Sequence, residues 1–210
     1  DYIVYKLSGE VNTTATGLSE GVLWDFKDAC RADFVADYYG FKHDLFSDIA
    51  PSIGVSARTD AATERLLGIP EGTPIAYRAG DQPNNAFSLG VLEPGEVATT
   101  GGTSGVVYGV TDLPKADPKS RVNTFLHVTD STEPRMGVLL CINGTGILNA
   151  WCRRNITPEL SYSEMNDLAE TVPVGSDGLV VLPFGNGAER VLENRNIGAR
   201  IIGLDLVRHT

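Results

Sequence analysis

Cysteine is scarce in this sequence. Cys30, Cys141 and Cys152 form an odd, widely spaced set with no C-x-x-C pair and no partnering histidines. That excludes a disulfide framework and a zinc cage, and it leads us to expect small buried hydrophobes in a reducing compartment. Histidine is as rare: His43, His127 and His209 lie far apart, each is read as a satisfied surface or core side chain, and no metal set is expected. Basic charge is in deficit, with 17 Lys plus Arg against 27 Asp plus Glu and a formal net charge of −10. Phosphate backbones and anionic lipid surfaces need clustered Lys and Arg, so neither nucleic acid nor membrane is expected as a partner. Apolar runs such as Gly178-Leu179-Val180-Val181-Leu182-Pro183 are too short to span a bilayer. No basic-then-apolar leader opens the chain, and the expected compartment is the cytoplasm. A G-x-S-x-G elbow, a Walker loop and a complete dinucleotide fingerprint are also missing. The N-x-[ST] triplets at Asn12, Asn143 and Asn155 carry no weight as glycosylation sites without a secretion signal.

What is present is globular. The chain has 210 residues, 42% apolar and 21% charged, enough to bury a core in one large domain or two small ones. Trp24 and Trp151 read as core. Both ends, Asp1-Tyr2-Ile3-Val4-Tyr5 and Arg208-His209-Thr210, are patterned like the inside of an element, so a stretch of something longer is expected.

Punctuation residues mark the elements. Arg31 to Tyr39 reads as a helix with Phe34, Val35 and Tyr38 on its inner face and Gly40 as its stop. Asp60 to Leu67 is a second, capped by Asp60 and ended by Gly68. Thr73 to Ala79 reads as a strand entering Gly80-Asp81-Gln82-Pro83, where Pro83 suits the first turn of a helix running to Leu89. After Val91 to Gly95, the best candidate for a domain junction, strands are expected over Glu96 to Thr100 and Val106 to Val110. Gly101-Gly102-Thr103-Ser104-Gly105 is the tight turn between them. Further strands are expected at Val122 to Val128, Gly137 to Ile142, Leu179 to Leu182 and Ala199 to Leu204, the last two of buried type. Helices are expected after Asn143-Gly144-Thr145-Gly146 and from the capping box Ser161-Tyr162-Ser163-Glu164. Mixed elements with β-hairpins point to α/β or α+β layers.

Three glycine-rich turns follow strands: Gly80-Asp81, Gly101 to Gly105, and Asn143 to Gly146. Such turns let backbone N–H groups converge on an anion, and a following helix adds positive dipole. The turn at Gly101 to Gly105 also offers two hydroxyls, although an ordinary hairpin turn uses the same residues. Asp81, at a strand-to-helix switch, could stay ionised and accept a proton from a substrate hydroxyl while Gln82 orients that substrate. The alternative is that Asp81 caps the helix. Glu189-Arg190 reads as a loop-locking ion pair.

Taken in order, these segments resemble the FGGY family of carbohydrate kinases over essentially the whole chain. Asp1-Tyr2-Ile3-Val4-Tyr5-Lys6-Leu7-Ser8-Gly9-Glu10 looks like that family's "DYI-x-Y-x-L-T-G-E" stretch, and Ala79-Gly80-Asp81-Gln82 like the segment with its catalytic aspartate. Gly101 to Gly105 is similar to its second phosphate loop, and Asn143 to Gly146 through Trp151 to its nucleotide-contacting glycine and helix. The run Gly175 to Arg190 resembles the approach to its "G-E-R" loop, and Gly198 to Leu204 completes the pattern.

The resemblance implies the α/β actin-like ATPase (ribonuclease-H-like) fold of a two-domain kinase, with this chain as the middle portion. Residues 1–92 would be the C-terminal part of the first, sugar-binding domain, and 93–210 the N-terminal part of the second, nucleotide-binding domain, with the active site in the cleft between them. It implies ATP-dependent, Mg2+-assisted phosphorylation of a sugar, with Asp81 as general base and as substrate contact beside Gln82. Gly102, Thr103, Ser104 and Gly146 would meet ATP. The pattern is most like the branch that converts D-xylulose to D-xylulose 5-phosphate; a glycerol or other polyol kinase is the second reading. A non-catalytic nucleotide-binding or interaction module is the alternative of another class. Implied partners are the sugar and ATP, with a homodimer as the candidate assembly. Gly102 stands where the family often has Leu, and Ala150 where some members have a nucleotide-contacting Gln. The family's first phosphate loop and its adenosine motif have no counterpart in these residues.

Overall fold

Helix ends in this chain are set by single residues. Asp60 accepts the Thr63 N–H at 2.8 Å and starts α4 (Ala61–Leu67), which Gly68 ends in the left-handed conformation at φ 71°. Ser161 and Glu164 exchange hydrogen bonds in a complete capping box that opens α7 (Tyr162–Glu170). The structure is a computed structural model and describes residues 1–130 and 133–209.

In chain order the elements are α1 (Tyr2–Ser8), β1 (Asn12–Thr14), α2 (Ala15–Glu20), β2 (Trp24–Asp25), β3 (Cys30–Arg31), α3 (Asp33–Tyr39), β4 (Asp48–Ala50), β5 (Ile53–Arg58), α4, β6 (Pro74–Tyr77) and α5 (Asp81–Ser88). There follow β7 (Val97–Gly101), β8 (Gly105–Thr111), β9 (Asn123–Leu126), β10 (Met136–Ile142), α6 (Thr145–Asn155), α7, β11 (Val180–Leu182) and β12 (Arg200–Ile202). One sheet has four strands in the order β7-β8-β10-β9. The others are two-stranded: β1 with β4 is parallel, whereas β2 with β3, β5 with β6, and β11 with β12 are antiparallel.

The residues fall into two units. Unit 1 comprises Asp1–Ala98, Tyr108–Lys115 and Thr124–Val138; unit 2 comprises Thr99–Val107, Ala116–Asn123 and Leu139–Thr210. Unit 1 carries a dense core that includes Ala36, Ala86, Val91, Tyr108, Leu126, Val128 and Met136. At its centre His127 is fully buried, with Nδ1 3.1 Å from the Tyr108 hydroxyl. Gly137 lies against the Tyr108 ring so closely that a Cβ there would overlap it. Unit 2 buries less: both short strands β11 and β12 leave Val180, Val181, Ile201 and Ile202 exposed.

Several expectations about burial are corrected. α3 forms where expected, but Phe34 and Tyr38 are exposed and the small Ala36 is the residue that packs inward. The strands expected to be of buried type at Leu179 to Leu182 and Ala199 to Leu204 are short and exposed. Trp151 is 45% exposed rather than core. Cys30 is exposed and Cys141 and Cys152 are half-buried, all three free.

Two outcomes follow from the Tyr108 region. Gly137→Ala should cost about 1–3 kcal/mol through overpacking, read as a lower urea midpoint with an unchanged slope. Burial pushes the His127 imidazolium below its ordinary range, and the charge of Arg135 adds to this. The native state therefore resists a proton that the unfolded chain accepts, so stability should fall as pH drops from about 7 to about 5. His127→Asn should flatten that dependence; an unchanged slope would show that another group titrates.

Candidate functional site

The strand β6 delivers the chain to α5, and three residues decide how that helix begins. Gly80, not Asp81, occupies the cap position, with φ −64° and ψ 162°. Its carbonyl accepts the Asn84 N–H at 3.2 Å. Pro83 has no N–H to satisfy. The N–H groups of Asp81 and Gln82 donate to the two carboxylate oxygens of Glu20, at 3.1 Å and 3.0 Å. Glu20 ends α2 and is 61 residues from Asp81 in sequence. A Cβ on Gly80 would overlap the Glu20 carboxylate where it lies, so a larger residue here would displace that side chain.

This arrangement settles the local alternative for Asp81. Its side chain makes no cap hydrogen bond. Pro83 has no N–H and the Asn84 N–H is held by the Gly80 carbonyl, so the amides a capping Asp81 would use are not on offer, and its carboxylate is exposed at the helix start. Nearby, Tyr77 donates its hydroxyl to Asn84 Oδ1 at 2.7 Å and its ring stacks on Phe87, bracing the outer face of α5.

Glu20 is held from behind. Its neighbour Ser19 is buried, donates to the Thr16 carbonyl at 3.0 Å and accepts the Leu126 N–H at 2.9 Å. Burial pushes the Glu20 carboxyl above its usual range; the Gln82 amide opposes the shift and the adjacent Asp81 charge adds to it. Burial likewise pushes the Tyr108 phenol up, with the Glu20 charge contributing. The Glu20 charge is thus felt by the Tyr108 phenol, as the Asp81 charge is by Glu20.

In unit 2 the Gly101–Gly105 turn joins β7 to β8. The Gly102 N–H donates to the Ser104 carbonyl at 2.9 Å, which closes it. The Thr103 carbonyl accepts the N–H groups of Gly146 and Ile147, both at 3.1 Å, at the start of α6. A Cβ on Gly146 would overlap the Gly102 carbonyl oxygen, so the two turns fit only with glycine at this point. Gly102 and Thr103 are exposed and Ser104 is half-buried, so the outer face of the loop is open beside the start of α6.

The Asn143–Gly146 turn is pinned from its other side. Glu189 is fully buried and accepts the Asn143 N–H at 3.1–3.2 Å through both oxygens. The Asn143 side chain donates to the Ala188 carbonyl, and that of Asn186 donates to the Asn143 carbonyl. The expected Glu189-Arg190 ion pair is corrected: the Arg190 guanidinium donates instead to the Ser120 carbonyl and to Asn123 Oδ1. Beside α6 lies a largely apolar groove of about 410 Å3, walled by Ile147, Leu148 and Trp151 on one side and Val181 and Ala199–Ile201 on the other.

The sequence reading thus named Asp81 and Gln82, which the structure joins through one carboxylate, and Gly102, Thr103, Ser104 and Gly146, which it brings together in unit 2. It missed Glu20 and the true partner of Glu189. The available signal for Glu20 was a helix start with glycine at the cap and a proline after it, which leaves two amides in need of an acceptor.

No family model matches the chain. The xylulose kinase of Bacillus subtilis (strain 168) is 22% identical over 205 residues, which is 98% of this chain and 40% of that protein. The gluconokinase of the same organism is 26% identical over 216 residues, 98% of this chain and 39% of that protein. The crystal structure of xylulose kinase from Rhodospirillum rubrum superposes with a TM-score of 0.83 at 25% identity, covering 100% of this chain and 42% of that one. The chain therefore spans about two fifths of the length of the relatives it matches. No helix among the described residues is long and apolar enough to cross a membrane. Along nearly its whole length the chain is similar in sequence to these sugar kinases, and it shares the actin-like ATPase fold of the sugar kinase structures on which it superposes.

Proposed function

We propose that the chain is the central part of an ATP-dependent sugar kinase in which Asp81 is the general base. The observation that carries this reading is the Asp81 carboxylate, which is exposed at the start of α5 and makes no cap hydrogen bond. An exposed carboxylate that caps no helix can accept a hydroxyl proton as that oxygen attacks the γ-phosphorus of ATP. The bond from that phosphorus to the β–γ bridging oxygen breaks, and ADP leaves. Gln82 lies beside Asp81 to orient the sugar.

The residues of unit 2 suit ATP. The turn of Gly102, Thr103 and Ser104 packs against Gly146 so closely that any side chain there would displace the Gly102 carbonyl, which fixes the loop's shape for a phosphate. The groove lined by Ile147, Leu148 and Trp151 suits a planar base. Mg2+ would arrive with ATP as part of the substrate, held chiefly by phosphate oxygens and water. Among the described residues no three His, Cys, Asp or Glu side chains cluster to form a separate metal cage. Phosphoryl transfer has a loose transition state, so positioning and charge neutralisation supply most of the acceleration.

D-Xylulose is the proposed acceptor, giving D-xylulose 5-phosphate. A coupled ADP-release assay on the complete gene product tests this, and phosphorylation of glycerol but not xylulose would overturn it. Asp81→Asn should lower kcat about 10²–10⁴-fold with little change in nucleotide affinity; near-normal turnover would remove Asp81 from the role of base. Glu189→Ala should raise the KM for ATP and leave that for the sugar unchanged, because it releases the Asn143 amide without touching α5.

A further inference from the structure

We infer that Glu20 sets the charge class of the acceptor: the site takes neutral sugars or polyols and turns away sugar acids. The inference rests on the proposed role of Asp81 and extends it to a residue with no assigned function. Three observations carry it. The Glu20 carboxylate is anchored by the amides of Asp81 and Gln82, so it stands at a defined place beside the proposed base. Its backbone is fixed by the buried Ser19, which ties the end of α2 to the Leu126 amide. Gly80 leaves the space that the Glu20 carboxylate occupies, which a Cβ there would overlap.

A helix N-terminus with two free amides would attract an anionic group from a substrate. Here the protein's own carboxylate fills that position. An incoming carboxylate therefore loses the amides as partners and meets two negative side chains, Glu20 and Asp81. Arg78, the nearest cation in sequence to Asp81, is turned instead toward Asn12 and Asp1. A neutral ketose or polyol, which presents hydroxyl donors to the same carboxylates, meets no such repulsion. Because the relatives include both xylulose kinases and gluconokinases, the distinction is between acceptors that differ in charge.

The experiment measures kcat/KM for D-xylulose and for D-gluconate with the complete gene product, as wild type and as Glu20→Gln. Glutamine keeps an acceptor for one amide and removes the charge. The wild type should favour xylulose, and Glu20→Gln should shift the gluconate-to-xylulose ratio toward gluconate by about 10- to 100-fold. The far-ultraviolet circular dichroism spectrum and the urea midpoint of each protein serve as the measure of intact folding. The wild type alone gives a second reading, because raising salt should narrow the preference as the repulsion is screened. A wild type that uses gluconate as well as xylulose, or a ratio unmoved by both the variant and salt, would overturn the inference while leaving the kinase reading standing. Absence of ATP consumption with either acceptor would overturn both, and that signature is distinct.

Discussion

The carboxylate of Glu20 on the amides of Asp81 and Gln82 is the interaction on which the candidate site depends. A helix start leaves unsatisfied N–H groups, and they must find an acceptor. In most helices the first residue or its predecessor supplies one. Here Gly80 has no side chain, Pro83 has no N–H, and the acceptor comes from the end of a different helix. Asp81 makes no cap hydrogen bond and carries no such structural duty. Had Asp81 capped its own helix, its oxygens would already be engaged by the backbone and its basicity spent there. The burial cost shows on Glu20, whose carboxyl is pushed upward, so desolvation is carried by the supporting residue while the proposed base stays open to solvent.

Unit 2 uses the same chemistry to the opposite end. Its turn amides and carbonyls are matched to one another, with Gly146 and Ile147 on the Thr103 carbonyl and Asn143 on Glu189. The acidic group again comes from a distant loop, but it binds behind the turn rather than in front of it. The face of Gly102 and Thr103 is left exposed. One carboxylate thus occupies a helix start, and another holds a turn in shape while leaving its outer face exposed. The position of the acid relative to the helix axis distinguishes a filled helix start from an exposed turn.

What could be read from the sequence divides along distance in the chain. Asp60, Gly68, Gly40 and the Ser161–Glu164 box act on residues within four positions, so their composition and spacing announce them. The turn at Gly101 to Gly105 and the helix after Gly146 were legible for the same reason. Glu20 with Asp81 and Glu189 with Asn143 are separated by 61 and 46 residues, and no periodicity links them. Side-chain burial was the least legible. In α3 the apolar stripe of Phe34 and Tyr38 suggested an inner face, yet the helix packs on Ala36, because a small residue lets backbones approach more closely than aromatic rings do. Trp151 was read as core from its type, whereas it lines one side of the α6 groove.

The net charge of −10 then acquires a local meaning. On the proposed reading an acidic protein handles an anionic nucleotide without a basic surface, and the exposed turn in unit 2 offers the Thr103 and Ser104 hydroxyls and the α6 dipole instead. Such dipoles are fixed by packing, so they need no reorganisation when charge develops, and they add no positive field that would draw unrelated anions. Glu20 applies that logic in reverse. Where unfilled amides would attract any small acid, the chain fills them with its own carboxylate, and the two carboxylates left beside each other favour hydroxyl donors. Selectivity for a neutral acceptor can thus arise without any positive recognition of its carbon skeleton, from how two amides at one helix start are satisfied.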